Sequence, residues 1–171
     1  MTRSKADTQD TRVRALAQES AAAAAAAFGR LCGEPMRVAD VLMWEGSISA
    51  GAGKLDTGIV FEVDGAVRGV VALLLSGVGR ATVLEALDAE LLADSALREA
   101  GNIVASHSVS AVADRLGTRV TLSVPTLVRE DAGSLIDRLL ARRVDVVVTA
   151  TELWAAGETP DVVLVLAVES L

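Results

Sequence analysis

Residues 95–117, SALREAGNIVASHSVSAVADRLG, form the stretch from which the architecture can be worked out. They read as one long helix from about Ser95 to Leu116, closed by Gly117, because glycine takes the left-handed conformation that ends a helix at no steric cost. Ser95, following Asp94, is expected to cap the start. On a helical wheel Leu97, Ala100, Val104 and Ala111 gather on one side, which is expected to face a sheet. Ser95, Glu99, Asn102, Ser106, Ser110 and Ala113 fall at spacings of three and four on the other. That second stripe is polar but built from short side chains, so Glu99 and Asn102 stand out from a low platform. Gly101 sits mid-helix at a cost of roughly 1 kcal/mol relative to Ala. A helix accepts that cost where a neighbouring element must approach closely.

A second helix of this length lies toward the N-terminus, from Thr11 to about Leu31. It includes seven consecutive alanines, Ala21 to Ala27, and alanine is both the best helix former and small enough for close packing. Gly33, Glu34 and Pro35 stop it. Residues 1–10 read as a disordered lead-in. Between the two helices come a strand from Arg37 to Met43 and a Gly/Ser loop, GSISAGAGK, from Gly46 to Lys54. The β-rich runs Gly58 to Val63 and Val67 to Leu75 follow, around the hairpin signal Asp64-Gly65, then a helical stretch from Val83 to Leu92. After the second long helix come a strand from Arg119 to Val124, ended by Pro125, and a helix from about Glu130 to Arg142. Strands Val144 to Thr151 and Asp161 to Val168 complete the chain.

The order is therefore helix and three strands, twice, with a shorter helix placed differently in each half. The first repeat spans about residues 11–90 and the second about 91–171. Three strands and one helix bury too little alone, so both units are expected to share one sheet and one core as a single domain.

Composition narrows the function. The chain has 171 residues and a net charge of −7 without a basic run, which leaves no electrostatic footprint for nucleic acid or anionic membrane. The apolar stretches are too short to span a bilayer, and the charged N-terminus does not read as a signal peptide; no membrane insertion and a cytoplasmic location are expected. Cys32 is the single cysteine and reads as a small buried hydrophobe. His107 lacks a Ser, Cys or Asp partner in any catalytic pattern and reads as a boundary residue. No His/Cys/carboxylate cluster has metal-ligand spacing, so no metal site of the chain's own is expected. The glycines of GSISAGAGK do not make a nucleotide loop, since no Ser or Thr follows Lys54.

A Glu–Asn pair at i, i+3 on an exposed helix is by itself commonly just solvated. The letters around this one are more specific. Ser95, Glu99, Asn102 and Pro125 fall at the spacings of the signature of the CheC/CheX family of CheY-phosphate phosphatases: Asp or Ser, three residues, Glu, two residues, Asn, 22 residues, Pro. The segment SALREAGNI resembles the CheC type most, and the likeness extends more weakly to VDVVVTATEL and DVVLVLAVESL. The resemblance implies an α/β (α+β) fold with a pseudo-two-fold repeat of long helix plus three strands. Its sheet would be six-stranded and mainly antiparallel, with both long helices packed on one face.

The resemblance also implies an activity: hydrolysis of the aspartyl phosphate of a CheY-like response regulator. Asn102 would orient the attacking water and Glu99 would pair with the partner's active-site lysine. Ser95 and Ser106 would contact the partner. The Mg²⁺ would be supplied by the bound response regulator, and the chain would need no cofactor of its own. The family usually carries two motifs, one per half. Here Glu19 matches the first glutamate, but the asparagine position falls on Ala22, so the first site is degenerate. A CheC-like binding module acting through a CheD-type deamidase or a response regulator is the alternative function.

Overall fold

The computed structural model describes residues 5–51, 55, 57–155 and 160–169. Its elements in chain order are α1 (Lys5–Cys32), β1 (Arg37–Val38), β2 (Leu42–Trp44), α2 (Ile48–Gly51), β3 (Thr57–Gly65), β4 (Gly69–Leu75) and α3 (Gly77–Ala86). A 3₁₀ turn (Glu90–Leu92) leads into α4 (Ala93–Leu116), followed by β5 (Val120–Leu122), β6 (Thr126–Val128), α5 (Ala132–Leu140), β7 (Val146–Trp154) and β8 (Val162–Glu169).

All strands join one sheet in the order β1-β7-β8-β4-β3-β5, with β2 also on β7 and β6 also on β3. Every ladder is antiparallel. Because β1 and β2 share one edge and β5 and β6 the other, the eight strands occupy six positions across the sheet. The two halves are interlocked. The first strand pair of each half lies on a strand of the other, β1/β2 on β7 and β5/β6 on β3, while β4 meets β8 in the middle.

Alternation along the strands divides the interior. Ile59, Phe61, Val63, Val71, Leu73 and Leu75 point to the side covered by α1 and α4. Val60, Val70, Ala72 and Leu74 point to the other, where Ile48 of α2 and Ala132 and Ile136 of α5 cover them. With one face under the long helices and the other under short ones, β4 is buried along its whole length. Two Phe in the chain leave the filling to aliphatic side chains, and the alanines of α1 contribute Ala17, Ala21, Ala24, Ala25 and Ala27 to it.

Several boundaries differ from those expected. The chain is helical from Lys5, so residues 5–10 belong to α1; Ala6 and Gln9 are good helix formers, no breaker precedes Thr11, and the Thr11 hydroxyl donates back to Asp7 O at 2.8 Å. The strand at 37–43 is broken into β1 and β2 because Val41 turns into the core, where its carbonyl accepts from Arg14. The helix before α4 starts at Gly77, where the Ser76 hydroxyl accepts from Gly79 N–H at 3.0 Å. Its expected continuation to Leu92 is interrupted at Asp88, whose φ is 48°. The strand expected over Arg119 to Val124 is shorter, β5 stopping at Leu122 before Pro125 is reached, and β6 begins at once beyond the proline. Both lie on the sheet edge, where the proline's missing N–H removes no ladder bond.

The Gly/Ser loop contains α2, with residues 52–54 outside the described part. Asp137 of α5 holds its start: one carboxylate oxygen accepts from Ile48 N–H at 2.7 Å, the other from Ser49 N–H at 3.1 Å and the Ser47 hydroxyl at 2.6 Å. Partial burial would raise this carboxyl, but the hydrogen bonds from Ser47, Ser49 and the two backbone N–H groups outweigh it and hold it below the usual aspartate range. The ionised form is thus favoured by folding, and its contribution is present above the unfolded-state pKa and lost as pH falls through the lower folded one. Asp137→Ala is expected to cost about 1 kcal/mol at neutral pH, as for removal of a helix cap. The difference from wild type should shrink as pH drops below about 4, which urea melts at pH 7 and pH 3 would measure.

Candidate functional site on helix α4

Helix α4 runs for 24 residues and closes at Gly117 with φ 62°, as its sequence required. Ser95 does not cap it. The helix begins at Ala93, continuing directly from the 3₁₀ turn, and its start has no side-chain cap. Its first turn is held instead by Arg129, at the end of β6, whose guanidinium pairs with Asp94. Sequence reading assigned no role to Asp94 beyond its place before Ser95, and none to Arg129. They are 35 residues apart, and only the return of β6 to the sheet brings them together.

The buried side of α4 comprises Ala96, Leu97, Ala100, Gly101, Val104, Ala105, Ser108, Val109, Val112 and Ala113. Ala113, expected on the open stripe, is therefore buried, and Ala111, expected to face the sheet, is half-buried. The contacts with α1 sit toward this C-terminal half of α4. Ser108 and Ser20 share a buried hydroxyl–hydroxyl hydrogen bond of 2.5 Å, and Arg115 reaches Glu19 at 3.3 Å. The two helices run antiparallel through these contacts, closing a face that remains open nearer Asn102.

Gly101 lies directly on β3. A Cβ at this position would come within 2.6 Å of Ile59 Cγ2 and 2.8 Å of its Cδ1, closer than packed carbon atoms allow. The absent side chain thus sets the height of α4 over the sheet at the turn between Glu99 and Asn102.

Ser95, Glu99, Asn102, Ser106 and Ser110 are all exposed. The structure brings four of the proposed site residues, Ser95, Glu99, Asn102 and Ser106, onto one open helical stripe. Exposed apolar side chains lie along the chain on either side: Leu91 and Leu92 just before α4, and Ile103 next to Asn102. His107 is exposed as well. Among the described residues no group of three or more His, Cys, Asp or Glu is placed to hold a metal ion.

Glu19 and Ala22, the residues expected at a degenerate first-half site, lie elsewhere. Glu19 is half-buried in its ion pair with Arg115, and Ala22 is exposed three residues further along α1. The glutamate is committed within the molecule and no amide accompanies it. Cys32 is half-buried, and burial, with Asp161 and Glu34 nearby, pushes its thiol up to about 11. It is protonated at neutral pH and a poor nucleophile.

Residues 92–129 match the model of the CheC-like family. They cover α4 with its exposed stripe and run to Arg129, the residue that anchors the helix. The chain is CheC-like in segment and in fold. A CheX chemotaxis protein from Desulfovibrio desulfuricans superposes with a TM-score of 0.71 over 91% of this chain and 99% of its own, at 13% identity. FliY from Thermotoga maritima gives 0.69 over 99% and 92%, also at 13% identity. CheX in a CheX–CheY–BeF₃–Mg complex from Borrelia burgdorferi gives 0.58 over 89% and 95%, at 10% identity. At such identities the likeness establishes the CheC/CheX fold. No curated protein sequence is significantly similar to this chain. No helix among its described residues is long and apolar enough to cross a membrane.

The Gly101–Ile59 contact is directly testable. Gly101→Ala adds helix propensity of about 1 kcal/mol but overpacks the helix–sheet contact, which typically costs about 1–3 kcal/mol. A lower thermal midpoint than wild type is expected, partly restored by Ile59→Val, which removes Cδ1.

Proposed function

We propose that this CheC-like chain hydrolyses the aspartyl phosphate of a CheY-like response regulator, using the single Glu99/Asn102 site on α4. The observation that carries this reading is the exposure of those two side chains, side by side, within the segment that matches the family model. The CheX–CheY complex among the similar folds supports a receiver-type partner.

An aspartyl phosphate is a reactive mixed anhydride. Its hydrolysis needs a water in line with the phosphorus–carboxylate bond more than it needs a new nucleophile. Water attacks phosphorus, the bond to the aspartyl oxygen breaks, and inorganic phosphate and the free carboxylate result. A neutral amide suits the positioning task. The Asn102 carbonyl accepts from the water while its NH₂ donates toward a phosphoryl oxygen. Glu99, one helical turn away, pairs with a cationic side chain of the partner and fixes the register in which Asn102 enters. Ser95 and Ser106 keep the stripe low enough for the partner to approach, and Leu91, Leu92 and Ile103 offer it apolar contact. Mg²⁺ would be held by the response regulator and would supply charge neutralisation at the phosphoryl group there, so none of this chain's residues is assigned to it. With Glu19 paired to Arg115 and Ala22 lacking an amide, the first half takes no part in the chemistry. A cytoplasmic location accords with such a partner.

Decay of a phosphorylated response regulator, followed with and without the protein, tests the proposal. Wild type should accelerate decay. Asn102→Ala should lose about 10²-fold of that acceleration, the usual effect of deleting one transition-state contact. Glu99→Ala should chiefly raise KM, and Glu19→Ala should leave the rate unchanged. Asn102→Ala with wild-type activity would remove the assignment. Acceleration of no regulator would favour a binding module, whose partner could be a CheD-type deamidase.

A further inference from the structure

Arg98 lies between the residues assigned above and has been given no role. It is exposed, immediately before Glu99, and one turn N-terminal of Asn102 at i, i−4, the spacing at which helical side chains are neighbours. Six other arginines of the chain are already engaged. Arg129 pairs with Asp94, Arg115 with Glu19, Arg143 with Glu62 and Glu169, and Arg68 with Asp64 and Glu169. Arg14 donates to Val41 O, and Arg37 lies over the Trp154 ring. Arg98 has no hydrogen-bond or ion-pair partner among the described residues. Its natural intrahelical partner would be Asp94 at i−4, and Arg129 occupies that carboxylate. The guanidinium is therefore left at the edge of the stripe, beside Ser95 and Asn102.

The proposed reaction gives that position meaning. A phosphoryl group held with Mg²⁺ sits among carboxylates, because Mg²⁺ is bound through carboxylate and phosphate oxygens. The surface rimming such a site is anionic. This chain is itself anionic, with a net charge of −7, and Glu99 is assigned to a cation of the partner, leaving the partner's carboxylates without a counter-charge. Two acidic surfaces repel on approach, and a like charge facing a like charge at an interface costs affinity and association rate. An unengaged arginine next to the inserted amide opposes that repulsion where it is strongest.

We infer that Arg98 is the specificity-determining residue of the docking face, pairing with a carboxylate on the rim of the partner's phosphorylation site. The inference rests on the phosphatase reading. Arg98 acts on recognition, and the positioning of water stays with Asn102. The structure also supplies a control. Arg138 on α5 is exposed and likewise without a partner among the described residues, but α5 lies on the opposite face of the sheet. Its removal changes the net charge by the same amount at a distance from the site.

The test is steady-state kinetics on a CheY-like response regulator phosphorylated with acetyl phosphate, at low and high NaCl. Arg98→Ala should raise KM about five- to tenfold at low salt, the scale of one lost charge-assisted contact at an interface rim, with kcat within twofold of wild type. The deficit relative to wild type should shrink as NaCl rises, because salt screens the repulsion that Arg98 opposes. Arg98→Lys should recover much of the loss, and Arg98→Glu should exceed it. Arg138→Ala should match wild type. Unchanged thermal midpoints establish that the variants are folded. Equal effects of Arg98→Ala and Arg138→Ala would show that only overall charge matters, and would overturn the inference. So would a fall in kcat without a change in KM. If wild type accelerates decay and Arg98→Ala does so equally well, this inference fails and the phosphatase reading stands. If wild type has no effect, both fall.

Discussion

Each half of the chain lends its first strand pair to the other half. β5 and β6 of the second half lie on β3, and β1 and β2 of the first lie on β7, so neither half has a complete sheet of its own. This exchange constrains nearly everything else. Because β5 and β6 immediately follow α4, their docking on β3 obliges α4 to lie over the same part of the sheet. The Glu99/Asn102 stripe is consequently displayed by a helix whose floor comes from the first half. Ile59, against which Gly101 rests, belongs to the first half, and so does Ser20, which bonds to Ser108. The first half thus supports the stripe that the second half displays.

That support fixes the helix at three kinds of contact. Arg129 holds its first turn through Asp94, Gly101 sets its height over β3, and the Ser20–Ser108 and Glu19–Arg115 contacts hold its later turns against α1. Between these points the exposed stripe has no hydrogen-bond or ion-pair partner among the described residues to draw it inward. On the proposed reading Asn102 enters another protein's site, and such a base leaves the backbone already ordered at the moment of docking.

The long helices, the hairpin at Asp64-Gly65 and the two C-terminal strands were legible because their apolar periods are long and their stops are glycine or proline. So was the stripe itself, since spacings of three and four determine a helical face without knowledge of the neighbours. What escaped depended on tertiary contact. Pro125 reads locally as an end, and only an edge position lets pairing resume one residue later. Ser95 reads as a cap, but the 3₁₀ turn before it starts the helix earlier. Ala113 continues the open stripe by spacing and is buried because α1 crosses α4 there. Arg129 carried no local signal, and Arg98 stands without its i−4 partner only because the distant Arg129 takes Asp94.

The ion pair between Glu19 and Arg115 leaves both side chains about half exposed, and a pair so open to water contributes at most about 1 kcal/mol. The grip between the long helices therefore falls to small groups sealed from water, Ala21 and Ala24 on α1, Ala105 on α4 and the Ser20–Ser108 bond between the two. Such a seam acts as a gauge: the thickness of its side chains sets where α4, and with it the exposed stripe, comes to rest.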